Sequence, residues 1–389
     1  MTSNLTARTL ARPSFEKAFS PHALVRAMLA FESALAHAQA DEGVIPQRDA
    51  ETIASACATI VIDIEALVSE GKRHATLAVP LVKMLRDETA KRAGTAAKHV
   101  HFGATSQDVL DTAMALCLRS CLEETDRALD SAIRIFTLRA VEHRATPMLG
   151  RTLMQPAIPI TAGLKIARWA VALAHDRERL GESQAEALAV QLGGPVGALE
   201  SLGAKGPAVR HHLAMRLGLA DAPSWQVHRN AWIDLLDRMA QLTITAGKIA
   251  RDVSLASQPE VGEMRESAPQ EGVGGSSSMP HKRNPVACVH ALSAAIRMPG
   301  LIASVHAGAL AENERALGGW QAELAVVPEI ASVMGSSVDF LETLSTSLVI
   351  DATRMAENVT RFGEGAPVDV AALQPAIDEL LAGLSSYLS

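Results

Sequence analysis

"GGSSSMPHKRNP", residues 274–285, interrupts a chain whose other long stretches read as helix. Glycines and serines alone would suit a flexible linker. Met279, Pro280, Lys282 and Asn284 would not. The parts suit a chemical task instead. Glycines permit a mobile loop that can close over a site. Successive backbone N–H groups can cradle an anion. A serine beside a lysine loses its proton more readily. Lys282 and Asn284 can hold a carboxylate whose charge grows when its α-carbon is deprotonated.

The composition around this loop favours helices. Hydrophobic residues make up 48% of the 389 positions, yet aromatics only 3%. Ala and Leu, good helix formers, carry the apolar content. The net charge of −7 and the absence of a basic block argue against nucleic acid, so an anionic substrate must meet a local cluster of cations. Cys57, Cys117, Cys121 and Cys288 have neither metal-type nor redox-type spacing. The first twenty residues lack an apolar signal core, and no uninterrupted run reaches 18 apolar residues. The expectation is a soluble cytoplasmic protein that does not bind membranes.

Apolar periodicity predicts helices over about 21–40, 49–69, 108–143, 161–190, 226–257 and 285–315, five of them long. The expected fold is all-α, an elongated helical bundle. A 30-residue helix spans about 45 Å, and one subunit does not easily cover several such rods, so oligomerisation is expected. The expected divisions are an N-terminal helical domain over 1–105, a long-helix bundle over 106–348 and a short helical segment over 349–389.

Two further breaks share the polar character of the first. "GATSQD" supplies Thr105, Ser106 and Gln107 at a helix start, where side chains and unpaired N–H groups suit a carboxylate, although capping is the ordinary use of Ser106 or Asp108. "GRTLMQP" offers Arg151, Thr152 and Gln155, in what could equally be a plain inter-helix turn. His99 and His101, in "HVH", lack a third ligand nearby in sequence, so no metal site is expected.

These three segments, in this order, resemble the fumarase/aspartase superfamily. "GSSSMPHKRNP" looks like its signature loop, and "GATSQD" and "GRTLMQPAIPIT" look like its other active-site segments. "QVHRNAWIDLLDRMAQLTITAGKIARDVSLASQPEVGEMRE", together with "ENERALGGWQAELAVVPEI", resembles the bacterial 3-carboxy-cis,cis-muconate cycloisomerase branch most. The resemblance covers about residues 15–348. It implies a homotetramer whose sites each take three segments from three subunits. It implies chemistry through an aci-carboxylate intermediate on a small polycarboxylate, in aromatic-acid breakdown. It casts Ser276 as the residue that moves the α-proton, with Lys282 and Asn284 holding the activating carboxylate. Ser106, Gln107, Thr152 and Gln155 would line the rest, with Thr105, Ser277 and Met279. A triply charged substrate would need cations, for which Lys282, Arg283, His281, His101, Arg151 and Arg315 are candidates. No metal or organic cofactor is required, because the substrate carboxylate is the electron sink.

Two departures narrow the chemistry. Many lyases of the superfamily carry histidine where this chain has Leu153, and a partnering glutamate where it has Val289. Losing only one would strand a buried polar group, so an apolar wall is expected here. A departing amine or hydroxide needs a proton, whereas a carboxylate, with a reference pKa of about 4, does not. The double loss therefore fits lactonisation, in which the substrate's own tethered carboxylate adds or leaves. The alternatives are an adenylosuccinate-type lyase, a 3-sulfomuconate cycloisomerase and a catalytically silent homologue.

Overall fold

The computed structural model describes residues 5–267, 274–275, 278–279, 282–363 and 369–388. The N-terminal part holds α1 (Leu5–Arg8), α2 (Pro13–Ala18), α3 (Pro21–Asp41), α4 (Gln47–Thr59), α5 (Ile64–His74) and α6 (Ala78–Arg92). The single helix expected over 49–69 is two, bent by 116°. Ile60 leaves the helical region with ψ 131°, and Asp63 caps the second helix by accepting from the N–H groups of Glu65 and Ala66. Three β-branched residues, Ile60 to Ile62, precede that cap and favour the extended link.

The long helices are α7 (Ser106–Glu142), α8 (Ala162–Ala187), α10 (Asn230–Ala256), α11 (Val286–Gly308) and α12 (Gly319–Ser347); the shorter α9 (Gly206–Leu217) lies between α8 and α10. They pack in the cyclic order α7, α8, α10, α11, α12. Long helices consecutive in the chain run antiparallel, and α12 closes the ring parallel to α7, with Trp320 on Asp111 at one end and the Leu348 carbonyl on Arg139 at the other. The fold is the predominantly helical, elongated bundle that the sequence predicts. Leu118, Phe136, Trp169, Leu236, Ile249 and Met334 are buried in its core, where Phe136 meets Trp169 edge-on at 6.2 Å. A second cluster joins α3, α4 and α6 to the first turns of α7 and to Trp320 of α12.

Two differences from the expected helix pattern stand out. The helix expected to reach 315 stops at Gly308, and α12 was not anticipated. A Cβ on Gly308 would lie 2.9 Å from the Gly319 carbonyl oxygen, and one on Gly319 would lie 2.6 Å from that of Gly308. The two glycines thus allow the close backbone approach that turns the chain into α12. Pro328 and a small-residue run around Gly335 obscure the period of α12 in the sequence.

Two short sheets also appear. β1 (Pro147–Thr152) and β2 (Gln155–Thr161) form an antiparallel hairpin, and β3 (Met264–Glu266) pairs with β4 (Leu348–Ile350). The chain closes with α13 (Ala352–Phe362) and α14 (Val370–Ala382). Met355 and Leu384 join the bundle core, and Arg144 donates to Asp378 at 2.8 Å.

Helices α11 and α12 are long and apolar enough to cross a bilayer, and only 22% of the apolar stretch of α11 is buried within the chain. Ile296 is 72% exposed, so α11 presents an apolar face outward.

Candidate active site

The N-terminal end of α7 is built around a buried carboxylate. Asp108 accepts from the backbone N–H groups of Thr105, Gly193 and Gly194 and from Gln191 Nε2, at 2.9 to 3.0 Å. Burial pushes its carboxyl up to about 6, against the lowering effect of these four bonds. Thr105 is the N-cap and Asp108, at the third helical position, completes the capping box, so the capping expected of Ser106 or Asp108 falls to Asp108 and Ser106 is the first helical residue. Arg315 Nη2 donates to Thr105 Oγ1 at 2.7 Å, and its buried Nε has no partner among the described residues. Gln107 is fully buried, and its amide nitrogen donates to Asp111 and to the Gln226 carbonyl.

Beneath this cluster the sequence reading missed an ion network. Arg229, 5% exposed, donates to Asp111 at 2.7 Å and also pairs with Glu323. Trp320 Nε1 donates to Asp111 at 2.9 Å, and the Arg229 guanidinium stacks on Trp225 at 4.7 Å. Asp111 and Glu323 sit inside apolar helix patterns and Arg229 just before α10, and only their convergence shows that they match one another.

His99 and His101 do not face each other. His99 Nδ1 lies 2.9 Å from Asp49, and His101 Nδ1 lies 2.6 Å from Glu32.

The second predicted segment is the hairpin. Thr152 and Gln155 pair across its end, and Leu153 and Met154 form the two-residue tip. Both tip residues have positive φ, 50° and 66°. Two-residue hairpins usually place Asn-Gly there, because L side chains disfavour this region. Leu153 is 96% exposed and Val289, on the first turn of α11, is 51% exposed. The apolar wall expected at these two positions is therefore not formed within one chain.

Arg151 points back from the hairpin. It forks onto Glu263 at 2.8 and 2.7 Å, so its charge is matched by an internal carboxylate. Close by, a cavity of about 490 Å³ opens between α8 and α10, lined by Ile160, Lys165, Trp169 and Lys248. Lys165 has no carboxylate within 4 Å among the described residues, and burial pulls its ammonium down. Nothing in the sequence separated Lys165 from the apolar stretch around it.

The third segment is anchored at both ends. Glu266, on β3, accepts from the N–H groups of Ala287 and Cys288 at 3.1 and 2.7 Å and so caps α11. Asn284 N donates to the Gly274 carbonyl at 2.8 Å. Gly274 has φ 72°, and a Cβ there would lie 2.5 Å from the Asn284 oxygen. Lys282 and Met279 are exposed and Asn284 is half-buried. Ser276, Ser277 and His281 lie outside the described residues.

The three segments do not converge in one chain. His101, Thr105, Ser106, Gln107 and Arg315 gather at the N-terminal end of α7. Arg151, Thr152 and Gln155, and the anchors of the 274–285 loop, lie beyond its C-terminal end. The 37 residues of α7 separate the two groups by about 55 Å.

The chain is similar to known lyases and cycloisomerases. A family model described as "Lyase" matches residues 7–300. A 3-carboxy-cis,cis-muconate cycloisomerase of Bradyrhizobium diazoefficiens is 42% identical over 92% of this chain and 79% of that protein. A nitrosuccinate lyase of Streptomyces davaonensis is 38% identical over 90% of this chain and 75% of that one. The crystal structure of 3-carboxy-cis,cis-muconate lactonizing enzyme from Pseudomonas putida superposes with a TM-score of 0.87 at 32% identity, covering 97% of this chain and 86% of that one. The chain belongs to the fumarase/aspartase superfamily of lyases.

Proposed function

We propose that the protein is a cycloisomerase that lactonises 3-carboxy-cis,cis-muconate to 4-carboxymuconolactone in aromatic-acid breakdown. One substrate carboxylate oxygen adds to a double bond. The π pair moves onto the carboxylate conjugated with that bond and forms the aci-carboxylate. Ser276 gives its hydroxyl proton to the α-carbon, the carboxylate re-forms, and the serine alkoxide takes a proton back from water. Lys282 and Asn284 hold the carboxylate on which charge collects, because donors aimed at developing charge lower the barrier most.

The observation that carries this reading is the pair Leu153 and Val289. Neither position offers an acid, and the adding group needs none. The 42% identity to the Bradyrhizobium cycloisomerase supports it. The separation along α7 supports a homotetramer with sites shared between subunits, which would also cover the outward apolar face of α11.

The nitrosuccinate lyase relative favours a second reading. Nitrite is, like a carboxylate, a weak base that leaves without a proton, so the missing pair does not distinguish the two. An ultraviolet assay of the purified protein separates them. Its substrates are 3-carboxymuconate, 3-sulfomuconate, unsubstituted muconate, nitrosuccinate and adenylosuccinate. Turnover of 3-carboxymuconate above all others is expected. Preference for nitrosuccinate or adenylosuccinate would overturn the reading.

A further inference from the structure

Glu32, on α3, is 1% exposed, and one of its carboxylate oxygens has no hydrogen-bond partner among the described residues. The other lies 2.6 Å from His101 Nδ1. An ionised carboxylate buried this deeply needs a cation beside it. Arg86 donates instead to the Val100 carbonyl at 3.2 Å, which leaves the His101 ring as the matching group.

His101 is held for this contact. Its φ is +60°, a conformation that a non-glycine residue takes only when its surroundings impose it. It lies on the loop that runs through Gly103 into Thr105, the residue that binds Arg315. The His101 side chain keeps 12% exposure, and Nε2 makes no hydrogen bond among the described residues.

We propose that Glu32 is a positioning residue that holds His101 as a doubly protonated imidazolium, with Nε2–H free to bind a carboxylate of the substrate. This rests on the reading of the α7 N-terminus as part of the substrate site. The charges around the ring agree. Burial alone pulls the imidazole down. The charge and hydrogen bond of Glu32 on α3, aided by Asp108 on α7 and opposed by Arg86 on α6, leave it raised. Cys57 on α4, half-buried and near the same carboxylate, has its thiol pushed up by desolvation and by Glu32, so it stays neutral. His101 thereby keeps one N–H, that of Nε2, for a substrate carboxylate, whereas both terminal nitrogens of Arg151 are taken by Glu263.

Two measurements on Glu32→Gln and Glu32→Asp test this. The first is carbethoxylation of His101 by diethyl pyrocarbonate, read by peptide mass spectrometry, with and without citrate as a tricarboxylate probe. Only neutral imidazole reacts, so the rate reports protonation independently of catalysis. The second is lactonisation of 3-carboxymuconate from about pH 6 to about pH 9, a range that brackets imidazole titration. Glu32→Gln should speed His101 modification near pH 7.5 by about tenfold, the size of one charge-assisted hydrogen bond. It should abolish citrate protection, raise KM more than it lowers kcat and move the alkaline limb of kcat/KM to lower pH. Glu32→Asp should restore part of each effect. Unchanged His101 reactivity in Glu32→Gln would overturn the pairing. Changed reactivity with citrate protection, KM and the alkaline limb unmoved would overturn the substrate-facing role. A parent enzyme that lactonises no muconate would instead count against the functional reading, and citrate protection would still decide the role of Glu32.

Discussion

Arg151 on β1 donates to both carboxylate oxygens of Glu263, which is fully buried and also accepts from Asn358 Nδ2 at 2.8 Å. The fork ties the β1–β2 hairpin to the segment leading into β3 and to α13. Removing the carboxylate strands a guanidinium and an amide. Glu263→Ala should cost about 2–4 kcal/mol, the range for breaking a buried charge-assisted pair. Urea unfolding would check this, and an unchanged midpoint would show that the fork contributes nothing.

Asp108 makes a prediction with a sign in pH. Its carboxyl is raised from 3.8 to about 6 by burial. The folded state therefore holds this proton more tightly than the unfolded state. The stability contributed by the protonated group is full below about pH 4 and is lost as pH rises through about 6. Asp108→Asn removes that component, so the stability difference, parent minus variant, should shrink between pH 4 and 6 by up to about 3 kcal/mol. Asparagine also has one acceptor oxygen where Asp108 uses two, which should leave two donors unpaired at every pH. Urea titrations at several pH values would test both points. A parent-minus-variant difference that is flat across the window would refute the raised carboxyl.

Ser276→Ala should leave assembly intact and lower turnover by at least about a hundredfold, the usual scale for a positioned proton donor. Near-normal turnover would remove Ser276 from the mechanism.

Shared sites predict complementation. Inactive Ser276→Ala chains mixed with inactive chains mutated at Thr152 and Gln155 should regain activity, because some sites in the hybrid draw intact segments from both. Hybrid tetramers that form yet stay inactive would sink the shared-site proposal.

Leu153→His with Val289→Glu restores the missing pair. Both positions are exposed in the single chain, so chain stability should change by less than about 0.5 kcal/mol. Lactonisation should not accelerate, because the adding carboxylate needs no acid. A clear rise in rate would require the leaving-group argument to be dropped.

The sequence by itself determined the helical class, the approximate limits of α3, α7, α8 and α10, and the three polar segments, because periodicity and helix breakers act over a few residues. It placed α7, α8 and α10 within a few residues of their observed ends. It did not reveal α12, whose proline and small residues blur the apolar period, nor the hairpin, which forms only because β1 finds β2 as a partner. The candidate site was legible as residue types but not as places. Only the tertiary structure decided that Arg151 is matched by Glu263, Arg229 by Asp111 and Glu323, and His101 by Glu32. Such pairings join residues far apart in sequence and depend on which helix faces meet. The rigid length of α7, which keeps Thr105 and Thr152 at opposite ends of the bundle, likewise appears only when the chain is folded.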